Sequence, residues 1–166
     1  MRKKNLNTPD AILATVPAIG EGKRGEQGHI GYLLGQAYAA HRIRMEKVLA
    51  GLGLTLPQFS VLTMLAAYPG ASGADLARLA LLTPQTMSVI VNNLERDGMV
   101  RRKPHPVHGR IQVIEITPEG KELLARCKKA AHPVEQSLLP DLNAEEEKVI
   151  RRWLVDVART TPEAGD

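Results

Sequence analysis

Between Thr83 and Val100 the chain reads TPQTMSVIVNNLERDGMV, and two sets of side chains interleave there. Met87, Ile90, Val91 and Leu94 recur at helical spacing, so one stripe faces a core. Gln85, Thr86, Ser88, Val89, Asn92 and Arg96 fall on the other face. That face lacks the Glu/Lys mixture of an ordinary solvated helix and consists mainly of short hydrogen-bonding groups. Gln and Asn can bond adenine edges bidentately, Ser and Thr serve either base type, and Val can meet a thymine methyl. The chemistry on offer is the reading of base edges in a groove of duplex DNA. A polar exposed helix with no partner is the alternative that this stretch alone leaves open.

Cations follow at once. Arg101, Arg102 and Lys103 come directly after the helix, then a turn-rich tip, PHPVHGR, ending in Arg110. IQVIEIT, Ile111 to Thr117, alternates β-branched and polar residues as a half-buried strand does. Helix, basic strand, tip and returning strand make a helix followed by a β-hairpin wing. A wing that starts with three cations and ends in a lone Arg resembles a phosphate clamp with a minor-groove finger.

These groups need elements to hold them. Thr83 and Pro84 are a helix N-cap and first helical residue, and Gly98 is a C-terminal stop. Upstream, Thr55-Leu56-Pro57-Gln58 is a capping box for one helix and Ser72-Gly73-Ala74-Asp75 a box for the next. Two short helices joined by a tight turn, the second with a polar outer face, make a helix-turn-helix, which puts Ser72 and Arg78 beside a phosphate. A first helix spans roughly His29 to Ala50. After the wing, Thr117-Pro118 opens a fifth helix that Pro133 is expected to kink or break, and Asn143 caps a last helix. The terminal helices carry apolar faces that need a cover: Ile30 and Leu33 at the start, and Leu138, Val149, Ile150, Trp153, Leu154 and Val157 at the end. A two-fold homodimer is the simplest remedy.

The expected fold is mainly α with a small β-hairpin wing: a winged helix-turn-helix lobe, 54–117, plus terminal dimerisation helices, 29–50 and 118–160. Residues 1–28 read as an amino-terminal extension and 161–166 as a tail. The 166 residues have a net charge of +4 and a pI near 9.4, which favours a polyanion partner. Aromatics at 3% give little material for a base-stacking platform of the single-strand binders. The single cysteine, Cys127, rules out an intrachain disulfide and fits a reducing compartment. No apolar run approaches the ~18 residues of a membrane span, and polar residues with Pro17 interrupt any secretory signal, so a cytoplasmic protein is expected.

The order of elements, and the residues in it, resemble the MarR family of bacterial transcription regulators. The resemblance runs from about Ile30 to Thr160 and is most specific in LTLPQFSVL (Leu54 to Leu62), TMSVIVNNLERDGMVRR (Thr86 to Arg102) and GRIQVIEITPEG (Gly109 to Gly120). It implies a triangular homodimer of winged lobes that usually represses by covering a palindromic promoter site. It also implies a recognition helix at Thr83 to Asp97 and a minor-groove arginine at Arg110. Anionic aromatic compounds often bind such proteins between the dimer helices and the DNA-binding lobe. By analogy that pocket holds Tyr38, His41, Met45, Phe59 and Met64, with plain packing of these residues as the alternative. The family commonly has acidic residues in the wing tip where this chain has His105 and His108. Protonated histidine there adds positive charge, so wing contacts are expected to weaken as pH rises past ~6.5.

Other chemistry finds few parts. His105-x-x-His108 has metal-like spacing, but no cysteine or carboxylate lies nearby, so no metal and no cofactor are expected. Cys127 lies on an apolar stripe and reads as a structural thiol, a redox sensor being the alternative. There is no glycine-rich phosphate loop and no nucleophile elbow, so no enzyme is expected. The expected partners are double-stranded DNA, a second copy of the chain and a small-molecule effector, without a membrane. Bases would fall to Gln85, Thr86, Ser88, Val89 and Asn92, and phosphates to Ser72, Arg78, Arg96, Arg101, Arg102 and Lys103. The rival is a winged-helix module that binds another protein and no operator.

Overall fold

The computed structural model describes residues 16–107, 109 and 111–159, which fall into two compact units divided between Ala40 and His41. The first begins with a short 3₁₀ turn, Gly22–Arg24, where the Arg24 guanidinium donates to the Pro17 carbonyl at 2.8 Å. Helix α1, Ile30–Ala50, starts in this unit. None of residues 16–40 is buried, and Ile30, Tyr32 and Tyr38 lie open on the helix surface.

The second unit takes up the rest of α1 and places Met45 and Leu49 in its core. Helix α2, Leu56–Ala67, opens on the expected box: the Thr55 N–H donates to the Gln58 side chain at 2.9 Å, and the Gln58 N–H returns to the Thr55 hydroxyl. Helix α3, Gly73–Ala80, opens on Ser72 and Asp75 in the same way. Helix α4, Pro84–Arg96, is capped by Thr83, whose hydroxyl accepts the Thr86 N–H at 3.2 Å. Each such cap satisfies amide protons that have no partner inside the helix and contributes about 1 kcal/mol.

Strand β1, Val100–Pro104, pairs antiparallel with β2, Gln112–Ile116, Val100 facing Ile116 and Lys103 facing Val113. The chain between α2 and α3 joins this hairpin. Ser72 bridges Val113, and the Ile114 N–H donates to the Ala71 carbonyl at 3.0 Å. The wing is thereby fastened to the turn that precedes the helix-turn-helix.

Helix α5, Pro118–Gln136, is capped by Thr117, and α6, Ala144–Arg159, by Asn143, whose side-chain oxygen accepts the Glu145 and Glu146 N–H groups. Pro133 does not break α5 where expected; the helix runs on to Gln136. Pro133 sits in the last turn, so its missing N–H removes one bond near an end already short of partners, and its own carbonyl still accepts the Ser137 N–H at 3.0 Å.

Leu62 (α2), Leu76 (α3), Met87 and Leu94 (α4) are wholly inaccessible to solvent, and each such side chain contributes about 1.5–3 kcal/mol. Val100, Ile114, Leu124 and Cys127 continue the same core into the hairpin and α5. Winged helix-turn-helix and terminal helices are present as the sequence led one to expect. No helix among the described residues is long and apolar enough to cross a membrane.

Candidate nucleic-acid interface

Helix α4 is amphipathic in the sense needed. Met87, Ile90, Val91 and Leu94 are buried, while Gln85, Thr86, Ser88, Val89 and Asn92 are exposed. Val89 is 57% exposed, a large apolar group in water on a face otherwise polar. The Thr86 hydroxyl is within hydrogen-bond distance, 2.9 Å, of the capping Thr83 hydroxyl, so one of its bonds is shared with the cap. Gly98 ends the helix with φ +74°, a conformation that favours glycine, and the chain turns directly into β1.

The cations expected on phosphates sit in three environments. Arg78 and Arg96 are largely exposed, paired with Asp75 and Asp97. Arg101 and Lys103 lie two apart on one face of β1, and both reach the same Glu115 oxygen, at 3.0 and 2.8 Å. The Lys103 and Arg101 side chains, donating to Glu115, hold its carboxyl below its ordinary range. Exposed pairs of this kind are weak, and a phosphate could replace the carboxylate at little cost. Arg102 differs. Strand alternation turns it to the opposite face, where it is half-buried against Glu95 and Asn92 of α4.

Ser72 is also occupied. Its hydroxyl donates to Asp75 at 2.6 Å and accepts the Asp75 N–H at 3.2 Å, which commits it to the cap. These Ser72 hydrogen bonds, with Arg78 adding to them, hold the Asp75 carboxyl below its usual value. Arg110 and His108 lie outside the described residues. His105 is half-buried at the tip, and its Nδ1 accepts the Val107 N–H at 3.1 Å. Asp75 was read in the sequence as the capping partner of Ser72, whereas Glu95 and Glu115, which hold Arg102, Arg101 and Lys103, were missed. For Glu115 the signal was there, since it alternates onto the same face as the basic pair once the hairpin is formed.

Met45 is 1% exposed inside the core, Phe59 and Met64 pack partly buried against it, and Tyr38 is exposed in the first unit. His41 is partly buried, its Nε2 lying 3.7 Å from Glu135, while its Nδ1 is buried without a hydrogen-bond partner among the described residues. The buried Thr63 hydroxyl likewise has none among the described residues. A separate groove of about 650 Å³ lies among the end of α2, β2 and the start of α5, lined by Leu65, Ile114 and Leu124, with Lys121 and Lys128 beside them.

The family model for the MarR family matches residues 52–111, which hold α2, α3, α4 and the first wing strand, β1. The transcriptional repressor Rv2887 of Mycobacterium tuberculosis is 36% identical over 125 residues, covering 75% of this chain and 90% of the relative. The chain belongs to the MarR family. A crystal structure of Rv2887 in complex with DNA aligns over 97% of its length and 78% of this chain, at 33% identity and a TM-score of 0.62. CouR of Rhodococcus jostii, solved with p-coumaroyl-CoA, shares the fold with a TM-score of 0.76 at 23% identity, over 84% of this chain and 97% of CouR. BpsR of Bordetella bronchiseptica, in a structure concerned with regulation of its DNA binding by 6-hydroxynicotinic acid, has a TM-score of 0.72 at 23% identity, over 85% and 97%. In this MarR-family chain Glu95 links α4 to the first wing strand, accepting the Arg102 N–H at 3.1 Å.

Proposed function

We propose that the chain is a repressor that binds duplex DNA as a homodimer, two copies of α4 entering successive major grooves about 34 Å apart on a palindromic promoter site. The observation that carries this reading is the outward face of α4: Gln85, Thr86, Ser88, Val89 and Asn92, exposed together above a buried stripe. Arg78, Arg96, Arg101 and Lys103 would exchange their carboxylate partners for phosphates, and Arg110 would enter the minor groove. The DNA complex of Rv2887 and its description as a repressor support the assignment.

Dimerisation is supported by surfaces left open. Ile30 is 67% exposed; on α6, Val149, Trp153, Leu154 and Val157 are exposed and no residue of the helix is buried. An amphipathic helix with its apolar side in water needs a partner. In this reading 54–117 is the DNA-binding lobe, and 29–50 with 118–160 form the dimer. A small anionic aromatic effector, of the kind of the 6-hydroxynicotinic acid that the BpsR structure concerns, would release the DNA by favouring an incompetent spacing of the lobes. The partnerless His41 Nδ1 and Thr63 hydroxyl are polar atoms such a ligand could satisfy.

Light scattering and a selection of bound duplexes from random sequence test the reading together. It requires a mass of two chains and enrichment of an inverted repeat. A monomer, or a pool with no enrichment, contradicts it.

A further inference from the structure

Asn92 is exposed on the base-facing side of α4, yet half of its hydrogen-bonding capacity is already directed. Its Oδ1 accepts from the Arg102 guanidinium at 2.6 Å. A guanidinium is donor-only, so the amide has one orientation here: oxygen toward Arg102, nitrogen away. Arg102 is in turn fixed by Glu95, which accepts its guanidinium through one carboxylate oxygen and its backbone N–H, at 3.1 Å, through the other. Arg102 is half-buried between the helix and the wing, and Nδ2 of Asn92 has no hydrogen bond among the described residues.

Bidentate pairing with adenine needs the amide oxygen to accept from the N6 amine while the nitrogen donates to N7. With Oδ1 on Arg102, the adenine amine would have to share that oxygen with a cation whose own protons point at it. One of the two lone pairs of Oδ1 is thus engaged by a cation, while both N–H donors of Nδ2 stay open to a base. Guanine presents two acceptors in the major groove, N7 and O6, whereas adenine pairs one acceptor with a donor and cytosine presents a donor. We infer that the Glu95–Arg102 pair sets the specificity of Asn92, biasing it toward donating its N–H groups and so toward guanine over adenine. Arg102 is then a positioning residue that joins helix to wing, and its phosphate-binding role is given up. This inference rests on the DNA-binding reading above and deepens it.

The test uses the full-length chain and a duplex selected by it, with the base pair read by Asn92 located as the one at which Asn92→Ala loses discrimination. Wild type should favour guanine there on the order of tenfold over adenine, and 7-deazaguanine should remove much of that preference. Arg102→Met frees Oδ1, so preference at this pair should move to adenine while the other positions keep theirs. Asn92→Asp keeps an oxygen on Arg102, and thus the helix–wing tie, but loses the N–H donors. It should lose guanine preference at this pair alone. Ratios among the four base pairs are the readout, so a general loss of affinity cancels.

Wild-type preference for adenine at that pair overturns the inference. So does an Arg102→Met protein that weakens all duplexes equally with a salt slope lower by about one, the mark of a lost phosphate contact. If Arg102→Met does not fold, Asn92→Asp decides: guanine preference retained by it refutes the donor role. A wild-type chain that enriches no sequence overturns the proposed function first, and is recognised before any variant is compared.

Discussion

Gly120 lies so close to the Met99 carbonyl that a β-carbon built on it would sit 2.1 Å from the oxygen. The contact locks the start of α5 to the turn between α4 and β1. Thr117 reinforces it: its hydroxyl donates to the Gly98 carbonyl at 2.8 Å and accepts the Gly120 N–H at 3.0 Å. The glycine and threonine of the Thr117-Pro118-Glu119-Gly120 run thus hold the wing, α4 and α5 in one arrangement. Gly120→Ala must push backbone away from backbone and should destabilise the chain by about 1–3 kcal/mol. Chemical denaturation checks this; a midpoint equal to that of wild type contradicts it.

Cys127 is wholly buried on α5, and burial raises its thiol above the ordinary value, keeping it protonated and unreactive. Native protein should therefore react with a thiol reagent only as it unfolds, and peroxide should leave DNA affinity unchanged. Rapid labelling of the folded chain, or release of DNA on mild oxidation, would establish the redox reading in its place.

Asp75 supplies an acid-sensitive cap. Its carboxyl is held below 3.8 first by the Ser72 hydroxyl, then by the Ser72 N–H, with Arg78 contributing. A carboxyl whose folded value is depressed stabilises fully above its unfolded value and loses that contribution as pH falls through the folded one. The window therefore opens at about pH 3.8 and extends below it. Asp75→Asn should show a flatter fall in stability over that range than wild type. Parallel acid limbs for the two proteins would contradict the assignment.

Leu81 closes α3 with φ +52°, in the left-handed region. A non-glycine residue there costs about 1–2 kcal/mol, and this side chain is 69% exposed, so packing returns little. Leu81→Gly should leave stability unchanged or raise it by up to about 1 kcal/mol, after the extra chain entropy of glycine is subtracted. A loss of more than about 1 kcal/mol would show that Leu81 is held by packing, against this account.

The caps were legible because they are local: Thr55, Ser72, Thr83, Thr117 and Asn143 each act on amides two or three residues on. The buried stripe of α4 was legible for the same reason, since helical spacing alone selects Met87, Ile90, Val91 and Leu94. The Ala71–Ile114 bond was not, because it joins segments distant in sequence through backbone atoms that carry no residue signature. The turn before α4 was also hidden, as a leucine stands where a glycine would have announced the left-handed residue. The three consecutive cations of β1 looked like one clamp in the sequence. Period-two alternation separates Arg102 from Arg101 and Lys103, and that much could have been read; the choice of Glu95 as its partner depends on how the helix meets the strand.

In the proposed function the polar face of α4 and the cations around it recognise a particular duplex. The direct measurement is the affinity of the purified chain for its selected duplex and for a scrambled one of equal length, at about 150 mM salt. The account predicts a difference of about 10³-fold or more, with both affinities falling as salt rises. Equal affinity for the two duplexes across the salt range would contradict it.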